Sequence, residues 1–277
     1  MLGAGQEIEM TAAGPAGRGS IGRGFAVQSY VVGALLMREL HTRFGRDNIG
    51  YLWAVFEPGL LAVAVTIMHV AASSRTGFGM DPIPFWVVGY TPFCMFRAMV
   101  LRAEAAIESN RTLLYHRMVT ITDLLLARGL LEFASAAVAM AILLGFAWLC
   151  GMGNLPDRPL LLLAGMAQLW WLSFGISLLV AAGAEYSTVV QRITHPATYI
   201  CLPLSGAFFL LKWLPRSARD VLVWSPLVSP FEQMREGQFA VFDSAYIFPS
   251  YVIGWSLALT VLGLLAIRVT RRRMHLE

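Results

Sequence analysis

Six stretches of this chain, residues 58–74, 82–96, 133–156, 159–184, 193–211 and 244–267, contain no Asp, Glu, Lys or Arg. A helix rising about 1.5 Å per residue needs about 20 residues to cross the roughly 30 Å of hydrocarbon in a bilayer, with charges tolerated near its ends. Six spans fit, at about 50–74, 82–101, 121–151, 159–184, 196–211 and 246–268. The composition agrees, with 57% hydrophobic residues against 14% charged and a mean hydropathy of +0.63. Soluble domains are about 25% charged. A soluble enzyme, a DNA-binding domain and a secreted disulfide scaffold are thereby excluded. Cys94, Cys150 and Cys201 are too far apart for a disulfide framework or a metal spacing.

The net charge of +4 comes from residues between the apolar blocks and at the chain ends, where it reads as membrane topology rather than nucleic-acid binding. With six spans both termini share a side. That side carries Arg18, Arg23, Arg38, Arg43, Arg46, Arg102, Arg111, Arg117, Arg192, Arg271, Arg272 and Arg273. The other carries Arg75, Arg158, Lys212, Arg216, Arg219 and Arg235. Both termini are therefore expected in the cytoplasm. Residues 1–24, rich in Gly and Ala, are expected to form a flexible cytoplasmic tail, and 25–277 a single transmembrane domain.

Three segments depart from simple spans and loops. Residues 25–47 form an amphipathic interface helix, with Leu36, Leu40 and Phe44 on one face and Glu39, Arg43 and Arg46 on another. Residues 102–122 make a polar cytoplasmic handle in which Asn110 is expected to cap a short helix over 111–117. The outer loop 212–243 contains Pro215, Pro226 and Pro230 and an uncharged run over 221–231, too short to cross and expected to dip in and return. The fold class is thus an all-α membrane protein: six transmembrane helices, an N-terminal interfacial amphipathic helix, and reentrant outer helices between spans 5 and 6.

No ATP is hydrolysed by this chain, because a phosphate-binding loop needs Gly-Lys-Ser/Thr and the only lysine, Lys212, follows Leu211 on the outer side. His41, His69, His116, His195 and His275 are scattered, so no metal site is expected. Charges close to the spans are the candidates for function: Glu57, Arg97, Asp123, Arg128 and Glu132. Arg128 and Glu132 have the spacing of an i, i+4 pair. Glu57 either serves transport or satisfies backbone amides or a neighbouring arginine; Arg97 either contacts substrate or extends to the headgroups. Trp53, Phe56, Tyr90, Phe93, Phe96, Trp170, Trp171, Tyr199, Phe208, Phe209 and Trp213 could present faces to sugar rings, although interface belts are the commoner use of Trp and Tyr.

Three motifs in order carry a resemblance. Residues 36–58, LMRELHTRFGRDNIGYLWAVFEP, resemble the start of the ABC-type polysaccharide-export permeases, where a basic interface helix enters an IGYLW turn. Residues 92–132, PFCMFRAMVLRAEAAIESNRTLLYHRMVTITDLLLARGLLE, are similar to that family's second span, cytoplasmic loop and third span, as found in the capsular polysaccharide branch. Residues 224–239, WSPLVSPFEQMREGQF, resemble its reentrant outer segment with an E-x-x-R-E-G run. Asn48 and His116 depart from the Ser and Pro common in that pattern.

The resemblance implies a homodimeric permease in the bacterial inner membrane, with no catalytic residue, cofactor or metal of its own, bound by separate ATP-binding subunits that hold ATP and Mg. It implies export of lipid-linked capsular polysaccharide, handed to periplasmic and outer-membrane export proteins. Glu104, Glu108, Asn110, Arg111, Leu113, Leu114 and Tyr115 would then form the element coupling to the ATPase. Arg38, Arg43 and Arg46, with paired donors suited to phosphate or carboxylate, lie where substrate would enter, with Trp53, Glu57 and Arg97 further along the entry or channel; the three arginines are equally suited to anchoring the helix to anionic lipids alone. A permease for O-antigen, teichoic acid or a small drug shares the fold. From other classes, a membrane-embedded lipid-processing enzyme lacks a nucleophile and base at recognisable spacing, and a passive scaffold would be insensitive to charge changes in the coupling segment.

Overall fold

The structure, a computed structural model, describes residues 21–44, 59–60, 63–64, 67, 79–111, 113 and 119–274. Among them every regular element is helical: α1 Ile21–Phe44, α2 Pro82–Glu104, α3 Ile121–Leu149, α4 Pro159–Tyr186, α5 Thr188–Ser205, α6 Arg216–Leu222, α7 Val228–Gln238 and α8 Pro249–Met274. Single 3-10 turns occupy Glu108–Asn110 and Leu211–Trp213. Four helices are long and apolar enough to cross a membrane: α2, α3, α4 and, over Pro249–Arg272, α8. The first expected span, 50–74, lies outside the described residues except at 59–60, 63–64 and 67.

Local signals set the helix starts. Prolines open α2 and α4, where a missing N–H costs nothing because the first amides of a helix have no internal partner. At α3, Thr120 and Asp123 form a reciprocal capping box: the Asp123 amide donates to Thr120 Oγ1 at 3.2 Å and the Thr120 amide donates to Asp123 Oδ2 at 3.1 Å. Asp123 therefore has a structural task, reinforced by Gln28 Nε2 of α1 donating to its other oxygen at 3.1 Å.

The block 193–211 does not give a helix over 196–211. α5 begins at Thr188, where Ser187 Oγ accepts from the Val189 amide, and ends at Ser205 because Gly206 turns left-handed at φ 76°. Capping chemistry sets both ends, and hydropathy sets neither. α1 likewise starts at Ile21 and buries Val32 and Leu35, whereas Leu36 and Leu40 are only half-buried.

α4 is the centre of the bundle, with α8, α7 and α2 packed around it. Small residues permit the closest crossings. A Cβ on Gly237 of α7 would come within 2.5 Å of the Leu162 amide nitrogen, and one on Gly165 of α4 within 2.8 Å of the Pro230 carbonyl oxygen. Two cores result: one around Phe85, Trp86, Phe96, Met166 and Phe231, the other around Val32, Leu35, Ile107, Leu124 and Leu178.

A branched residue at the α4–α7 crossing has no room. Gly237→Val is expected to destabilise the detergent-solubilised protein by about 1–3 kcal/mol, as overpacking does. Gly145→Val, where a Cβ meets nothing within 4 Å, serves as the control. A thermal-shift measurement that lowers the transition equally in both would contradict the crossing.

Candidate functional site

The end of the bundle formed by the C-termini of α2 and α4 and the N-termini of α3 and α5 is tied together by side chains of opposite charge. Arg128 of α3 reaches Glu39 of α1 at 2.7 Å, and Arg102 of α2 reaches Glu132 of α3 at 2.6 Å. Their spacing suggested a pair within α3; instead each reaches a different helix, because α1 and α2 both pack against α3. Arg111 Nη2 donates to Glu185 Oε1 at 3.1 Å, and His195 Nε2 lies 3.8 Å from Glu104 Oε1.

The turn after α2 sits in this ionic end. Glu108 and Ser109 are exposed, whereas Asn110 is buried. Asn110 Nδ2 donates to the Ala106 carbonyl at 3.0 Å and its Oδ1 accepts from Arg38 Nη2 at 3.3 Å. Asn110 is thus a pin between the turn and α1; the helix over 111–117 that it was expected to cap lies outside the described residues except at 111 and 113. Glu104 is not an exposed handle: one carboxylate oxygen faces His195 and the other is buried with no hydrogen-bond partner among the described residues. Leu113 packs against the second core.

Along the seam of α2 and α5, charges and rings alternate. Arg97 lays its guanidinium over the Tyr199 ring, 4.2 Å from its centroid, and Nη2 donates to the Tyr199 hydroxyl at 2.5 Å. Further out, Tyr90 stacks on Phe208 at 5.8 Å and Phe85 lies against Trp213 at 5.4 Å. Arg192, His195, Pro196 and Tyr199 share an exposed face of α5. A polar, proline-containing face on a helix among apolar ones belongs against water or protein, since charge in hydrocarbon is costly.

The E-x-x-R-E-G run has a different task. Arg235 is fully buried in α7 and donates through both terminal nitrogens, at 2.7 Å each, to the carbonyls of Ala207 and Phe209. Its guanidinium lies 4.4 Å from the Phe85 ring centroid. Burial pulls its pKa down to about 10, opposed by the charge of Glu232, so it is protonated at neutral pH. Glu232 accepts from the Leu211 amide and the Ser244 hydroxyl, and Glu236 accepts from Arg158 and the Ser244 amide. Lys212 donates to the Asp243 carbonyl. The motif ties down the segment between α5 and α8.

Among the candidates named from the sequence, Arg38, Arg97, Glu104, Glu108, Asn110, Arg111 and Leu113 are described. Arg46, Trp53, Glu57, Leu114 and Tyr115 lie outside the described residues, as does the side chain of Arg43. The structure brings Arg38 to Asn110 and Arg97 to Tyr199; it does not join these two pairs. Sequence reading passed over Arg192 and His195, although with Tyr199 they repeat at i, i+3 and i+7 inside an apolar block, which is the signal for one polar helix face. Glu39 and Glu185 carried no such signal, because their partners are far away in sequence. No group of three or more His, Cys, Asp or Glu among the described residues could hold a metal ion.

Comparison with known proteins gives one consistent picture. Residues 30–239 match the family described as ABC-2 type transporter. The capsule polysaccharide export inner-membrane protein BexB of Haemophilus influenzae is 32% identical over 88% of this chain and 92% of its own. The corresponding protein CtrC of Neisseria meningitidis serogroup B is 33% identical over 86% of this chain and 90% of its own. The polysialic acid transport protein KpsM of Escherichia coli is 30% identical over 91% and 97%.

The Arg235 contacts yield a stability prediction. Arg235→Lys keeps the charge but cannot serve two carbonyls with a planar fork, so it is expected to cost about 2 kcal/mol, the scale of one charge-assisted hydrogen bond. Limited proteolysis of the loop after α5 reports it: cleavage should accelerate in the variant, and unchanged cleavage would contradict the assignment.

Proposed function

The chain belongs to the ABC-2 type transporter family, and we propose that it is the permease subunit of an ATP-driven exporter moving lipid-linked capsular polysaccharide across the bacterial inner membrane. The observation that carries this reading is the polar face of α5 with the Arg97–Tyr199 pair. A hydrated polymer cannot cross lipid, and a ring stacked under a guanidinium offers a sugar both an aromatic face and fixed donors. On a single copy this face is exposed, and a second copy packed against it would enclose a path, which supports a homodimer.

The ATPase is a separate chain holding ATP and Mg. It docks at the turn after α2, where Glu108 and Arg111 are exposed and the pin from Asn110 to Arg38 holds α1 alongside. Leu114 and Tyr115 would complete that contact. Arg38, Arg43 and Arg46 of the interface helix receive the anionic head of the substrate, and Trp53 and Glu57 lie beyond them at the channel entry. Periplasmic and outer-membrane export proteins take the polymer onward.

Both termini lie in the cytoplasm. Arg268, Arg271 and Arg272 are exposed at the end of α8, and the arginine-rich ionic end falls on the same side. Six spans are completed by 50–74 and α5, and α6 and α7 form the reentrant pair. Ten of the eleven residues of α7 are buried, and Glu232, Arg235 and Gln238 each bond backbone of the adjoining loops, as suits a segment that dips into a bilayer.

Two measurements test this. Copurification with the ATP-binding subunit should be lost on reversing Glu108 to Arg; retention of the subunit, with unchanged ATP hydrolysis, would sink the docking assignment. With the subunit bound, Tyr199→Ala and Arg97→Leu are each expected to lower polymer export about tenfold, a loss of about 1.4 kcal/mol, with Tyr199→Phe intermediate. Export at wild-type rates in both would move the path elsewhere.

A further inference from the structure

Ser187 alone joins α4 to α5, so the two helices diverge from a shared corner at the ionic end of the bundle. The corner is tight, with Val190 side-chain carbons 3.5 Å from where a Cβ on Gly183 would stand. Beyond it lies a slot of about 320 Å³, walled by Phe96 and Val100 of α2, Ile176 and Val180 of α4, and Val190 and Ala197 of α5. Its lining follows α5 from Ser187 to Cys201, roughly 21 Å of helix. The hydroxyls in that wall are turned to backbone. Thr194 donates to the Val190 carbonyl and Thr198 to the His195 carbonyl, each at 2.7 Å, and Ser187 Oγ accepts from the Val189 amide at 3.2 Å. A buried water needs two to four polar partners, so the slot suits an apolar occupant, and left empty it would forgo the dispersion contacts of its lining. The occupant must also be narrow: 21 Å of a helix about 10 Å across fills roughly 1,600 Å³, several times the slot. A single hydrocarbon chain fits where a helix of a second copy does not. The slot opens sideways past Val189 and Ile193, which are 55% and 56% exposed. Arg192 stands at that edge, one turn from Val189; it is exposed and holds no carboxylate among the described residues. From Arg192 to Cys201 is roughly 14 Å along the helix, close to half the thickness of a bilayer's hydrocarbon.

We propose that the slot between α4 and α5 is a binding site for one acyl chain of an anionic phospholipid whose phosphate is held by Arg192. A cation at headgroup depth with an apolar slot one leaflet deep beneath it has the layout of such a lipid, and a guanidinium suits a phosphate through its paired donors. The lipid is a resident of the bilayer and not the cargo, because the slot lies against the buried face of α5 marked by Thr194 and Thr198, whereas Tyr199 is on the exposed face. Seated there, the chain fixes how far α5 stands from α2 and α4, and so holds the Tyr199 ring in register with Arg97. The binding needs no transport. Only the identity of the leaflet as the cytoplasmic one rests on the permease reading.

Cys201 lies in the slot wall at its deep end and reports occupancy once Cys94→Ser and Cys150→Ser leave it the sole cysteine. In nanodiscs of phosphatidylcholine, adding phosphatidylglycerol is expected to slow its labelling by N-ethylmaleimide about fivefold, and Arg192→Gln to abolish that protection, since the phosphate then lacks its charged donor. Equal rates in the two lipid mixtures would overturn the site. Phosphatidylglycerol carrying a diazirine on one chain is expected to cross-link within residues 187–201, and cross-links confined to the outer faces of α3 and α8 contradict the proposal. Ala197→Trp is expected to exclude that cross-link without lowering the thermal transition, because the space for the ring is already there; a lowered transition with the cross-link retained shows a closed slot and ends the proposal. Mass spectrometry of the chain from polymer-exporting cells should find a retained phospholipid, whereas a glycolipid in its place makes the slot a cargo site and refutes a resident lipid. Loss of protection and cross-link in a chain that still couples to its ATP-binding subunit overturns the lipid site alone. Protection in a chain that never couples to such a subunit upholds the site and overturns the permease reading.

Discussion

A helix that ends within a packed bundle leaves carbonyls with no intrahelical partner, and the donors must come from the protein. In the loop just beyond α5 two carbonyls take their donors from one side chain. Arg235 supplies two terminal nitrogens to the carbonyls of Ala207 and Phe209 just beyond α5, and it can do so only because α7 is held against α4 at Gly165 and Gly237. Glu232 balances its charge and holds the Leu211 amide from the other side of the same break. The irregular backbone between α5 and α6 is thereby held from α7, with partners for the Ala207 and Phe209 carbonyls and for the Leu211 amide.

That constraint orders the rest. The end held by Arg235 and Glu232 is tied by buried groups, whereas at the opposite end the ion pairs are partly exposed. α1 touches the bundle through Val32 and Leu35 and through Gln28, Arg38 and Glu39. Partly exposed pairs contribute little net stability and exchange partners readily, so this is the end suited to being moved, while the Arg97–Tyr199 pair sits between the locked end and the movable one.

Much of this was legible in the chain, and the boundary of what was not is physical. The apolar blocks predicted helices, and α2, α3, α4 and α8 are long and apolar enough to cross a membrane. The E-x-x-R-E-G run was visible as a motif, but its role as a clamp depends on Ala207 and Phe209, more than twenty residues away. The i, i+4 reading of Arg128 and Glu132 named the right residues and the wrong partners, since helical spacing says who can meet within one helix and nothing about which helices flank it. Asn110 joins Arg38 of α1, again a contact between elements that linear spacing does not show.

By itself the sequence determined the class of solvent this chain lives in and the helical character of its apolar blocks. Those follow from composition, period and motif, which are local. Only the tertiary structure decided where α5 begins and ends, which carboxylate each arginine holds, and which face of α5 stays open. These depend on the positions of neighbouring helices, and a charge surrounded by two or three possible partners chooses among them by packing geometry that no linear spacing encodes.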